Sequence, residues 1–169
     1  MPGDAVAREH PYLVYFPTAS VDYKCWSSDN FSNLISKMSA SYPQYDHIIL
    51  KGVQQWEIDI ADDIVQSQQC ENIIALSTKT IDEATALIKG ATMVVSNDTG
   101  IRHLAIVSNI PTVGILISVQ PFRYWPRSDI HDVVLLNDEG QPSVNQALSV
   151  CERLLQNIQP KHEKPGTQK

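Results

Sequence analysis

Short apolar runs rich in β-branched and aromatic residues punctuate the chain, and between them apolar positions recur at helical spacing. The runs are Tyr12–Phe16, His47–Leu50, Asn72–Leu76, Met93–Ser96, Thr112–Leu116 and Val133–Leu136, each with the length and composition of a buried strand. The first intervening segment, capped by Ser28 or Asp29 and running to about Ser41, places Phe31, Leu34, Ile35 and Met38 on one helical face. Further helices are expected over Glu57 to about Ser67, Ile81 to Lys89, Ile101 to Ser108 and Ser143 to about Asn157. Asp82 and Glu83 suit the positive end of the third helix, and Gly90 is placed to end it as a C′ glycine. Ile117 to His131 is a long irregular stretch. Strictly alternating strands and helices predict an α/β fold, a Rossmann-like three-layer domain with a parallel sheet of about six strands covered on both faces. The pattern divides the chain into a linker or disordered start (1–11), the folded domain (12–158) and a disordered tail (159–169), charged and containing Pro and Gly.

The stretch from Thr92 to Leu116 holds the most chemistry. A strand ends at Ser96, Asn97-Asp98-Thr99-Gly100 turns at once into a helix, and Asn109-Ile110-Pro111 stops that helix before the next strand. Such tight turns lie at the carboxyl edge of a parallel sheet, where open α/β folds bind ligands. Asp98 is the expected N-cap, its carboxylate accepting from the first-turn amides while an oxygen stays available to ligand hydroxyls. Gly100 allows close approach where a Cβ would obstruct it. The amides of Thr99 and Gly100, at the positive end of the helix dipole, suit a phosphate. Taken alone, this D-T-G turn reads equally well as an ordinary helix cap.

Composition narrows the classes. The chain has 169 residues, enough for one domain with a hydrophobic core, and a formal net charge of −6. Without a basic run, nucleic acid is excluded as a partner. Cys25, Cys70 and Cys151 are odd in number and widely spaced, forming neither a metal set nor a disulfide framework, which fits a reducing compartment. Cys25, beside Lys24, is either a reactive thiol or a plain buried one. No apolar run approaches the roughly 20 residues of a membrane span, and no signal-peptide segment is present. Asp59, Asp62 and Asp63 make a solvated helix face rather than a D-x-D metal motif, so neither metal nor cofactor is expected.

The longer string SNDTGIRHLA followed by PTVGI, together with YLVYFPTASVDYKCW, IILKG and STKTIDEATALIKGATMVVSNDTG, resembles glycosyltransferase family 9, the bacterial heptosyltransferases that move heptose from ADP-heptose to the lipopolysaccharide core. The resemblance implies the C-terminal, donor-binding half of a two-domain GT-B enzyme of inverting type. It also implies a nucleotide-sugar site converging from several loops. Lys24, in its K-x-W context, and Ser20 belong to the first loop, with Lys24 neutralising the diphosphate. Thr78, Lys79 and Thr80 edge the base largely through main-chain groups. Asp98 meets the sugar hydroxyls, while Thr99 and Gly100 offer amides to phosphate. His103, on the flank of that helix, is either a member of the site or a surface histidine. Gln54 and Glu57 fall where the family places a ribose-binding acid, with the register after Gly52 open.

Two departures from the family's pattern stand out. Thr18 replaces the glycine of a Pro-Gly-Ala-Ser loop, and Leu116-Ile117 replaces a Phe-Gly after PTVGI. Beyond the second lies an aromatic-basic cluster of Phe122, Arg123, Tyr124, Trp125 and Arg127, suited to cover the site or meet another domain. The resemblance further implies a lipopolysaccharide core acceptor held by an N-terminal domain that this chain lacks. That domain would carry the catalytic base, so the isolated chain is expected to be inactive. The implied location is cytoplasmic, with a peripheral position at the inner membrane open to the full-length enzyme. A non-catalytic nucleotide-sugar-binding or regulatory module acting with a partner chain is the alternative.

Overall fold

A computed structural model describes residues 10–19, 25–68, 70–97, 99–116, 130–135 and 142–167. Its strands are β1 (Tyr12–Phe16), β2 (Asp46–Leu50), β3 (Ile73–Leu76), β4 (Met93–Asn97), β5 (Thr112–Leu116) and β6 (His131–Leu135). Its helices are α1 (Ser28–Ser41), α2 (Gln55–Gln68), α3 (Ile81–Gly90), α4 (Gly100–Val107) and α5 (Val144–Thr167). The six strands form one sheet in the order β3-β2-β1-β4-β5-β6, and every pairing is parallel. The α/β, Rossmann-like reading therefore holds.

Alternation along each strand feeds two separate cores. On one face Leu13, Tyr15, Ile49, Met93, Val95, Val113 and Ile115 pack with α1, α2 and α5, through Phe31, Leu34, Ile35, Met38, Ile64, Cys151 and Leu155. On the other face Tyr12, Val14, Phe16, Ile48, Leu50 and Val94 pack with α3 and α4, through Leu87, Ile88 and Ala105. Each fully buried large aliphatic side chain contributes about 1.5–3 kcal/mol. The predicted apolar face of α1 is the buried one, because a 3.6-residue period with four large side chains leaves one orientation on the sheet.

The element ends differ from expectation at several points, each for a local reason. Ser27, not Ser28 or Asp29, caps α1, its hydroxyl accepting from the Asn30 amide at 3.1 Å. Gly90 is the last residue of α3 rather than a C′ residue. A Cβ there would collide with the Tyr12 hydroxyl, which donates to Leu87 O at 2.6 Å. Asn109 is the residue that takes a left-handed φ of 65° and closes α4, as the Asn109-Ile110-Pro111 stop anticipates. β6 begins at His131, whose ring Nδ1 pairs with the Thr112 hydroxyl at 2.8 Å. The α5 backbone stays helical to Thr167, past the expected end near Asn157 and into the stretch read as a disordered tail. The extension runs through Pro160, Pro165 and Gly166, residues of poor helix propensity, so no local signal in the sequence announces it.

Burial also sets the buried titratable groups. Tyr15 donates or accepts at 2.9 Å with His47 Nδ1, and His47 Nε2 lies 3.2 Å from Tyr42 O. Burial raises the Tyr15 hydroxyl and lowers the His47 imidazole, so both stay neutral. Burial also pushes the Cys151 thiol up to about 12, with Glu152 adding to it, which leaves it inert. Cys25 is half-buried and Cys70 exposed, and neither is in a disulfide.

Candidate functional site

The strand order reverses between β1 and β4, so the loops after these two strands leave the sheet in opposite directions and open a crevice at their carboxyl ends. Two adjoining cavities of about 290 and 300 Å³ lie along this edge. Both are lined by Phe16, Glu57, Ile81 and Ile101. The first also takes in Lys51 to Val53 and Thr78 to Thr80, and the second takes in Ala19, Thr99 and Gly100.

Glu57 sits where the two cavities meet. It lies in the first turn of α2 and is only 5% exposed. Its Oε1 accepts from the Thr18 hydroxyl at 2.6 Å, and its Oε2 from the Gln54 amide at 3.1 Å. The second bond is a helix-capping contact. Gly52 lies directly beneath the carboxylate, and a Cβ there would overlap it. The absence of a side chain at Gly52 makes room for the carboxylate.

The turn after β4 is built differently from expectation. Thr99, not Asp98, is the N-cap of α4, its hydroxyl accepting from the Arg102 amide at 3.3 Å. The Thr99 hydroxyl also lies 3.0 Å from the Ser96 hydroxyl, which holds the threonine in place at the strand end. A threonine with extended backbone (φ −143°) caps well here. Gly100 follows as the first helical residue, lines the second cavity, and a Cβ on it would meet no described residue within 4 Å. The cap takes up the Arg102 amide, and the amides of Thr99 and Gly100 lie ahead of it at the helix start.

Across the crevice, Thr80 caps α3 by accepting from the Glu83 amide at 3.1 Å, and Glu83 reaches back to the Lys79 amide at 2.9 Å. This fixes the Thr78–Thr80 loop as one wall. Exposed Val53 (87%) and Ile81 (71%) present apolar surface at the mouth of the first cavity. Lys51, which also lines it, pairs through Nζ with Asp62 at 2.9 Å.

A buried relay ties the loops together. The Asn97 side chain, fully buried, accepts from the Trp26 amide at 3.1 Å and donates to Thr18 O at 3.4 Å. The Trp26 indole packs edge-on against Phe31 and donates to Pro142 O at 2.7 Å. The segment that follows Lys24 is thereby fastened beside the turn after β4.

The structure brings Glu57, Thr78, Lys79, Thr80, Thr99 and Gly100 to one crevice. Gln54 contributes its amide to Glu57 but lines neither cavity, and His103, exposed on α4, lines neither as well. Ser20, Lys24 and Asp98 lie outside the described residues, as does the cluster from Phe122 to Arg127. Sequence reasoning missed the positions of Thr18 and Asn97 inside the site, and it missed Arg102, which is 1% exposed. The Arg102 side chain lies across Gly114, where a Cβ would collide with it. Among the described residues no group of three or more His, Cys, Asp or Glu side chains is placed to hold a metal ion. No described helix is long and apolar enough to cross a membrane.

The family model for glycosyltransferase family 9 (heptosyltransferase) matches residues 3–151. Lipopolysaccharide heptosyltransferase 3 of Escherichia coli is 30% identical over 119 residues, which are 70% of this chain and 34% of that protein. The chain therefore spans about a third of its relative's length. Among solved structures, E. coli heptosyltransferase WaaC with ADP aligns at a TM-score of 0.77 and 19% identity, over 88% of this chain and 45% of that one. E. coli ADP-heptose lps heptosyltransferase II aligns at 0.74 and 21% identity, over 92% and 51%.

Proposed function

The chain belongs to glycosyltransferase family 9, and on that premise we propose that its crevice binds the donor, an ADP-heptose-like nucleotide sugar, as one half of a GT-B enzyme of lipopolysaccharide core assembly. The observation that carries this reading is the placement of Glu57. Its buried carboxylate stands between a cavity walled by Thr78–Thr80 and one that ends at the open N-terminus of α4. That order matches base, ribose and diphosphate laid end to end along the crevice.

In this reading the base lies between the apolar surfaces of Val53 and Ile81, edged by main-chain groups of the Thr78–Thr80 loop. Glu57 accepts from the ribose hydroxyls. The Thr99 and Gly100 amides, the helix dipole and Lys24 stabilise the diphosphate as negative charge develops on the leaving group. Asp98 is assigned to the sugar hydroxyls and Ser20 to the same nucleotide-sugar site, as the family resemblance implies. His103 stays a proposal at the flank, since it lines neither cavity. An inverting transfer also needs a base in line with the acceptor hydroxyl. We assign that base, and the acceptor groove, to a domain outside this chain, working at the cytoplasmic side of the membrane that carries the acceptor.

Calorimetry with ADP, UDP and GDP tests the donor reading. ADP is expected to bind most tightly. Equal binding of all three, or none, would sink it.

A further inference from the structure

We propose that Thr18 is a positioning residue that aims the Glu57 carboxylate so that the crevice requires an intact ribose diol; this rests on the donor reading above. An ionised carboxylate only accepts hydrogen bonds and offers about four acceptor positions. One is taken on Oε1 by the Thr18 hydroxyl at 2.6 Å and one on Oε2 by the Gln54 amide at 3.1 Å. Both donors approach from within the protein, and Gly52 closes the carboxylate from below. The remaining acceptor positions belong to a group that lines both cavities.

Thr18 is itself fixed. It is 1% exposed, and its carbonyl accepts from the Asn97 side chain at 3.4 Å. The hydroxyl therefore holds the carboxylate plane from a rigid support, whereas Gln54, exposed at the start of α2, grips it only through the helix's own first turn. With one oxygen anchored on each side, the carboxylate presents two acceptors in a set orientation. Of the two lysines that line the first cavity, Lys51 is paired with Asp62, and Lys79 belongs to the Thr78–Thr80 wall. Two neutral O–H donors on adjacent carbons suit that pair of acceptors, and a single hydroxyl satisfies half of it.

The test is the ratio of ADP to 2′-deoxy-ADP affinity, measured by calorimetry on the wild-type chain, Thr18→Val, Thr18→Ser and Glu57→Gln, with folding checked by circular dichroism. The wild type is expected to favour ADP by roughly tenfold or more, as for one bond to a charged acceptor. Thr18→Val keeps the shape, loses the hydroxyl and should bring the ratio down at least threefold, whereas Thr18→Ser should restore it. A general loss of stability would weaken both ligands together and leave the ratio in place. If Thr18→Val does not fold, Thr18→Ala serves in its stead. A folded variant without the hydroxyl that keeps the wild-type ratio overturns the role of Thr18 alone. Absence of ADP binding by the wild type overturns the donor reading, and this inference with it.

Discussion

Asn97→Leu should loosen the site's framework by a calculable amount. The side chain is fully buried, and leucine matches its size closely, so packing changes little. Two groups lose their partner. The Trp26 amide, in a residue 1% exposed, gives up a 3.1 Å bond. A buried donor left without a partner costs about 1–3 kcal/mol. Thr18 O loses a 3.4 Å bond, long enough that its loss adds about 1 kcal/mol or less. The expected destabilisation is therefore about 1–4 kcal/mol, or a fall in Tm of roughly 2–16 °C for a chain of this size. Urea denaturation monitored by Trp26 fluorescence measures it. Binding adds a second readout, because the same bond fastens the loop that carries Lys24: ADP affinity should fall more than adenosine affinity. Asn97→Asp keeps an acceptor for the Trp26 amide and separates loss of that bond from loss of the donor. Stability of Asn97→Leu within about 0.5 kcal/mol of wild type would refute the tether.

Further expectations follow from other parts of the structure. Gly114→Ala puts a methyl group onto the Arg102 side chain and should cost about 1–3 kcal/mol in thermal denaturation; an unchanged Tm would show that Arg102 moves freely. His47 is held neutral because burial lowers its pKa, so the folded state binds fewer protons than the unfolded one below about pH 6.5. Its contribution is complete above that pH and is lost as pH falls toward the lowered native value, so His47→Gln should flatten the acid side of a Tm-versus-pH curve. Lys24→Ala should weaken ADP by about 1.5–3 kcal/mol with little change in Tm; ADP affinity within a factor of two would remove Lys24 from the site. The 169-residue chain alone should bind donor yet transfer no sugar to a heptose-deficient core acceptor until an N-terminal half is added; turnover without it would locate a base here, with Asp98 and His103 the first to replace.

The parts of the fold legible in the sequence are those written in local periodicity. The buried face of α1 and the five-residue apolar strands needed no knowledge of what they touch. Glu57 was legible as a residue type but not in register, since the loop after Gly52 has no period. The place of Glu57 over Gly52 comes only from a contact made in space. Thr18 and Asn97 were opaque for a related reason: their partners lie 39 and 71 residues away along the chain, beyond any local pattern. Arg102 was opaque in the same way: only the bare surface of Gly114, on β5, makes room to bury it. The cap of α4 was misassigned because Asp98 and Thr99 are both good capping residues, and the choice depends on Ser96 gripping one of them.

The strand order also decides how this protein comes together. β1, β2 and β3 pair with their neighbours in the chain, as do β4, β5 and β6, so each trio can assemble early. One ladder, from Leu13↔Met93 to Phe16↔Ser96, joins the trios. Closing it requires a loop through the whole first trio, and such non-local pairings are slow to form. The part of the crevice lined by Ala19 and by Thr99 to Ile101 is the mouth of that seam, so it does not exist until the ladder has zipped. In the proposed donor reading, a nucleotide lying across it would contact β1-side and β4-side loops together and bind only the joined state. It would then act on this chain as a clasp, leaving the folding rate nearly unchanged and slowing the rate at which the two trios part.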